Sequence, residues 1–289
     1  MDILDVQFPL ARQSAHSVKG ALKTALGRVL LPLMRARTEE LRAGRLGATL
    51  SLRDRLMIAA LVDRHEKLGT LEQLNGLHDW LWSSGQAVHF HEQAQARFDT
   101  WWLQQHSAVL APLQTLFDAR PGALHTLIEI GCGSGLVLAD VAQRMPQLQR
   151  LIGLDLSTEQ TARNARRYEA NARLQFASGD AATWLQQHAE RGSVCFTNAG
   201  VLEYFPERKL RALLQHFATL SPAAFACVEP IDSQHELARE LTSHSYGAER
   251  SWSHNYPHLF ADCGFHVLWQ QELDFAGVRW LLVVAQARE

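Results

Sequence analysis

The spacing of apolar and polar residues divides the chain into two textures. From about Gln13 to Phe117 the apolar period is helical, and runs of β-branched residues are absent. SVKGALKTALGRVLLPLMRARTEELRAG reads as one amphipathic segment ending at Gly44, bent or divided by Pro32. SLRDRLMIAALVDRHEKLG is a second helix, with Ser51 as its cap and Gly69 as its stop. A third run, HFHEQAQARFDTWWLQQHSAVLAPLQTLFDA, stops before Arg120-Pro121-Gly122. That Pro-Gly pair sets the expected boundary: a helical cap over 1–120 and a second domain over 121–289.

After Pro121 the pattern becomes strand, loop and helix, repeated. The expected strands are HTLIEI, RLIGLDL, RLQFASGD, SVCFTNA, AAFACVEP, FHVLWQQEL and VRWLLVVAQ, with helical stretches between the first five. This alternation predicts βαβ units and an α/β fold, its mostly parallel sheet covered on both faces. DFAGV joins the last two strands as a hairpin-like link, so one of them should run antiparallel.

Composition adds exclusions. A formal charge of −2 gives no basic footprint, so nucleic acid is not expected as a partner. No apolar run reaches the length of a membrane span, and MDILDVQFPL lacks the basic start of a secretory signal. Cys132, Cys195, Cys227 and Cys263 are scattered, without metal or disulfide spacing. They read as small buried hydrophobes of a reducing compartment, and the expected location is the cytoplasm.

The chemistry concentrates at the strand ends. Gly131-Cys132-Gly133-Ser134-Gly135 follows the first strand and opens a helix, where backbone amides receive polar or anionic groups. The dinucleotide fingerprint G-x-G-x-x-G/A does not fit, because position 136 is Leu. Glu129, two residues before the loop, is also an acid where a pyrophosphate binder gains nothing from one. Asp155 ends the second strand, Asp180 follows the third and Asn198 the fourth. Three acids and an amide are therefore expected along one rim of the sheet.

LIEIGCGSG, LIGLDLS, FASGDAA and FTNAGVLEYF together resemble the motifs of class I S-adenosylmethionine-dependent methyltransferases. The resemblance covers about Pro121 to Glu289 and implies a Rossmann-like seven-stranded sheet. It further implies that S-adenosylmethionine (SAM) is the cofactor. Glu129, Gly131, Gly133 and Gly135 would hold the methionine end. Asp155 would bind the ribose hydroxyls, and Leu156 would pack on adenine. Asp180 and the Ala181 amide would read the adenine edge, and Asn198 would line the cofactor near its sulfonium.

Three stretches are candidates for the acceptor pocket. GVLEYF contributes Glu203 and Tyr204, which with Asn198 are candidate catalytic groups. SHSYGAERSWSHNYPHLF contributes His244, Tyr246, His254 and Tyr256, of which Tyr246 and His254 are candidate bases; Tyr256-Pro257 reads as a helix cap and first turn. HDWLWSSGQAVHFHEQAQARFDTWW contributes Trp80, Trp82, Phe90, Phe98, Trp101 and Trp102 beside His78, His89, His91 and Arg97. Most of these rings suit a core, with one or two expected at the pocket, where aromatic faces attract cations. His89 and His91 have no further ligand at metal spacing, and no metal is expected.

Lys19 to Arg45 carries seven basic residues against two Glu, and such a face suits packing on the catalytic domain or on a second subunit, giving a homodimer. The expected function is a SAM-dependent transferase that methylates O, N or C of a small molecule in a capped pocket. One alternative is cleavage of another sulfonium bond, cyclising SAM to azetidine-2-carboxylate and methylthioadenosine. A non-catalytic module with the same fold is a further alternative.

Overall fold

The computed structural model describes residues 18–47, 49–83 and 93–289. The chain packs as two units, Met1–Phe90 with Ser245–Ser251, and His91–His244 with Trp252–Glu289.

The first unit is helical: α1 (Val18–Leu33), α2 (Arg35–Arg42), α3 (Leu52–Leu68) and α4 (Gly76–Ser83). Pro32 lies in the last turn of α1, and the helix breaks at Met34, so the proline divides the segment rather than bending it. A Cβ at Gly27 of α1 would lie 2.0 Å from the Leu56 carbonyl oxygen of α3, so the two backbones are in contact there. Leu41, Met57, Ile58, Leu61, Leu74 and Leu77 fill the core between the helices. At α3 the Ser51 hydroxyl accepts from the Asp54 amide, and the Asp54 carboxylate accepts from the Ser51 amide. This reciprocal cap and the left-handed Gly69 fix both ends of α3 where the sequence places them.

The second unit opens with α5 (Ala94–Arg97), a π-helical turn (Phe98–Trp102), a 3-10 turn (His106–Val109) and α6 (Leu110–Ala119). The third helical run is therefore broken within its described part. The π turn aims Trp102 inward, where its Nε1 donates to Asp140 Oδ2 at 2.7 Å and its ring meets Phe196 edge-on. Leu110, Leu113, Leu116 and Phe117 of α6 are buried in a core formed with sheet residues. Residues 94–119 consequently pack with the sheet, whereas the pattern groups them with the N-terminal helices.

The sheet contains β1 (Thr126–Ile130), β2 (Arg150–Asp155), β3 (Leu174–Ser178), β4 (Ser193–Asn198), β5 (Ala224–Ile231), β8 (Phe265–Phe275) and β9 (Val278–Ala287). Its order is β3-β2-β1-β4-β5-β9-β8. The first five are parallel, and β9 runs antiparallel to both β5 and β8, as the short link between the last two predicts. Interleaved helices are α7 (Leu136–Arg144), α8 (Thr158–Arg167), α9 (Ala181–His188), α10 (Glu207–Ala218) and α11 (Tyr256–Asp262). Alternate strand residues feed two cores. Ile128, Ile130 and Cys195 lie with α9, α10 and α11, and Leu127, Val194 and Phe196 with α6 and α7.

Two short strands, β6 (His244–Tyr246) and β7 (Ser251–Ser253), pair with each other and have no counterpart in the sequence pattern. Asn255, rather than Tyr256, caps α11 through its side-chain bond to the His258 amide; Tyr256 is the first helical residue and fully buried. Among the described residues no helix is long and apolar enough to cross a membrane.

Candidate functional site

The strand order turns between β1 and β4, where successive connections leave in opposite directions; in sheets of this kind ligands bind beyond the carboxyl ends at that point. The glycine loop starts there. Gly131 has φ +70°, and a Cβ on it would lie 2.6 Å from Val201 Cγ2, so the loop after β4 is packed against the glycine itself. The amides of Gly131 and Cys132 donate to Leu154 O at 2.7 and 3.1 Å, tying the loop to β2. Gly135, also left-handed, leads into α7.

Side chains complete the cradle. Asp155 accepts from the Gly133 amide through Oδ2 and from the Ser157 amide through Oδ1, both at 2.9 Å. The Asn164 amide donates to Gly133 O at 2.7 Å, and the Tyr168 hydroxyl donates to Ser134 O at 3.2 Å. Asn164 and Tyr168, on and just after α8, are absent from the sequence-level site. Their signal is weak, since a polar residue in an amphipathic helix has no visible partner in sequence.

Glu129 sits within β1 and is 2% exposed, with Oε2 lacking any partner. Burial, and then the charge of Asp155, push its carboxyl well above the usual range. It is a buried acid beside the glycine loop with an unused oxygen. Asp180 caps α9 through the Thr183 amide and pairs with Lys209 at 2.7 Å. Burial alone would raise its carboxyl, but Lys209 and the Thr183 amide outweigh that and hold it below the ordinary value. Leu156 is half-buried after β2, and Ala181 opens α9 in a buried position.

At the end of β4, Asn198 is one residue past the Thr197–Ile130 pair, which places it level with Gly131. Its Oδ1 accepts from Nδ1 of His106 at 2.9 Å. His106 is fully buried, and burial pushes its pKa down to about 4. Its ring lies 4.5 Å from that of Trp280 and 6.1 Å from that of Trp101. Among the described residues of the tryptophan-rich run, Trp101 lies beside His106, the partner of Asn198, and Trp102 is core. His89, Phe90 and His91 lie outside the described residues.

The chain then turns through Ala199 and Gly200, both at positive φ, into the 3-10 turn Leu202–Tyr204. Glu203 and Tyr204 are half-buried on this turn, and the Glu203 carboxylate folds back over Gly200. Glu229 of β5 holds the turn from below. It is fully buried, and its carboxylate accepts from the Thr197 hydroxyl at 2.6 Å and from the Val201 and Leu202 amides at 2.9 Å. Burial raises its pKa to about 8, with the Glu203 charge adding to the shift. A lone carboxyl inside the apolar strand AAFACVEP is the signal by which sequence reading could have found it.

One candidate base is corrected. His254 is fully buried, with Nε2 donating to Phe205 O at 3.0 Å and Nδ1 accepting from the Ser243 hydroxyl at 2.6 Å. Neither ring nitrogen is left for a substrate proton, so His254 is a structural link. Tyr246 ends β6 and is half-buried. Of possible metal ligands, His235, Glu240 and His244 bring donor atoms within 4.8 Å of one another. Each already makes bonds within the fold: His235 with Ser253 Oγ and the Glu240 backbone carbonyl, His244 with Asp232, and the Glu240 carboxylate with the Glu236 amide.

Residues 127–222 match the model of a methyltransferase domain. The chain is 32% identical over 140 residues to trans-aconitate 2-methyltransferase of Deinococcus radiodurans, a match covering 47% of this chain and 49% of that protein. It thus spans about half the length of that curated relative. In fold it resembles an S-adenosylmethionine-dependent methyltransferase of Clostridium acetobutylicum, with a TM-score of 0.51 at 8% identity over 69% of this chain and 99% of that one. A chain of the Haloferax volcanii complex between a methyltransferase activator and a putative methyltransferase gives a TM-score of 0.50 at 19% identity, over 70% and 96%. The strand order and the glycine loop are thus those of a Rossmann-like fold, whose residues 127–222 match a methyltransferase domain.

Proposed function

We propose that the chain is an enzyme that binds SAM along the rim of β1, β2 and β3 and transfers its methyl group to O, N or C of a small molecule. The observation that carries this reading is Glu129. A buried carboxyl oxygen without a partner costs about 1–3 kcal/mol, and it lies beside a loop whose glycine admits no Cβ. An ammonium such as that of a methionine group satisfies this oxygen and favours the ionised form of the acid.

Asp155 would take the ribose hydroxyls, Leu156 the face of adenine, and Asp180 with the Ala181 amide its edge. When bound, SAM supplies a methyl group already activated on a cationic sulfur. The chain has then to align the acceptor and exclude water. Asn198, Glu203 and Tyr204, carried on the turn that Glu229 clamps, are the groups assigned to meet the acceptor. Four free, buried cysteines support a reducing, cytoplasmic setting. Pairing of two chains through α1 is supported by its exposed apolar stripe, Leu22, Leu26, Val29 and Leu33.

A second reading, closure of SAM to azetidine-2-carboxylate with release of methylthioadenosine, is favoured by the Trp101 and Trp280 rings beside His106, the partner of Asn198, since aromatic faces suit a cation. One experiment separates the two. Purified protein is incubated with SAM, with and without the low-mass fraction of a cell extract, and the nucleoside is identified by mass spectrometry. S-adenosylhomocysteine (SAH) formed only with extract is the expected result. Methylthioadenosine from SAM alone selects the second reading, and neither product, with no SAH binding by calorimetry, sinks both.

A further inference from the structure

His106 has a ring nitrogen that the fold leaves unused. Its Nδ1 is bonded to the carbonyl-type oxygen of Asn198, which can only accept, so Nδ1 carries the proton. Nε2 is then a bare lone pair, and it is buried without a partner. Protonation does not fill it at neutral pH, because burial holds the ring neutral. The contrast with His235 and His254 is direct, since both nitrogens of each of those rings are engaged. A buried acceptor left unpaired is costly, and Asn198, which holds the other nitrogen, ends β4 beside the strand that leads into the glycine loop.

We propose that Nε2 of His106 accepts a hydrogen bond from the attacking atom of the substrate, which therefore bears an N–H or O–H and is not a carboxylate. The proposal rests on the SAM-binding reading above and names the chemical class of its nucleophile. The Trp101 and Trp280 rings lie beside the imidazole, and in such an apolar surround its lone pair favours a neutral donor over an anion. His106 thus orients the nucleophile, while Asn198, held by Nδ1, keeps its own amide hydrogens for the ligand side.

The test separates the two nitrogens. His106→Asn keeps a donor at the Nδ1 position, and hence the bond to Asn198, but removes the acceptor. Nucleoside release from SAM with the low-mass extract is expected to fall about tenfold or more, with SAH affinity by calorimetry within about twofold of wild type. His106→Gln, which carries an amide oxygen toward the Nε2 position, should recover part of the rate. Release by His106→Asn within about twofold of wild type overturns the proposal, as does a loss of SAH affinity in step with the rate. So does methylation of trans-aconitate by the wild-type protein, since that acceptor is a carboxylate. On unmutated, histidine-labelled protein, nitrogen NMR should find His106 as the Nδ1–H tautomer at neutral pH, and an Nε2–H tautomer overturns it whatever the variants do. Wild-type protein that binds no SAH removes the SAM reading itself, which marks that failure apart from the others.

Discussion

Glu229 links a single ionisation to the shape of the site. Its carboxyl is the acceptor for the Val201 and Leu202 amides, so the turn bearing Glu203 and Tyr204 is fixed from inside the sheet. In the folded chain the proton stays on up to about pH 8, whereas an unfolded chain gives it up near 4.5. Between those values the folded state binds more protons than the unfolded one. Stability from this group is therefore full below about pH 4.5 and is lost as pH rises through about 8. Glu229→Gln, which stays neutral and keeps one oxygen for the two amides, should flatten that decline, gaining on wild type at about pH 9 but not at about pH 5. Urea unfolding at both pH values checks this, and an equal difference at the two would refute it. Asp180 teaches the opposite lesson: its side chain serves a helix cap and Lys209, a role visible only once those partners are placed.

Among elements, the loop between β1 and α7 carries the most consequence. Spacing alone marked Gly131, Gly133 and Gly135, because a strand that must turn at once into a helix needs left-handed residues. What spacing does not show is the reason at Gly131, where Val201 fills the place of a side chain. Gly131→Ala should lower SAH affinity about tenfold or more, since positive φ and the clash each cost about 1–2 kcal/mol. Adding Val201→Ala should recover part of it by removing the clash and not the strain. Calorimetry of both variants decides, and unchanged affinity in Gly131→Ala would show that the loop does not touch the ligand. The run before β1 was less legible. Its helical period is real, yet a π turn interrupts it, because Trp102 reaches Asp140 from that geometry.

For the whole molecule, the open question is what meets α1. Leu22, Leu26, Val29 and Leu33 are 60%, 49%, 60% and 75% exposed, and they recur at one-turn spacing. Each such side chain buried at an interface contributes about 1–3 kcal/mol. Wild-type protein should therefore run as a dimer by light scattering and Leu26→Glu as a monomer that still binds SAH. A monomeric wild type would set the pairing aside. Division into units likewise became visible only in three dimensions: segment 245–251 leaves the sheet-bearing unit and joins the helical one, where Glu249 O meets His78 and Arg250 meets Glu66.

The sequence by itself determined the seven strands of the large sheet, the parallel run of the first five, and the strand-end positions of Glu129, Asp155, Asp180 and Asn198. These follow from local rules: alternation along a strand, left-handed glycine in a tight turn, and loops emerging at strand ends. Tertiary structure alone decided which polar groups are already satisfied. His254 and Asn198 look equally available in sequence, yet one is closed by Phe205 and Ser243 and the other is oriented by His106 from 92 residues away. A hydrogen bond depends on a partner's position rather than its distance along the chain, so availability for chemistry is settled only when the distant elements meet.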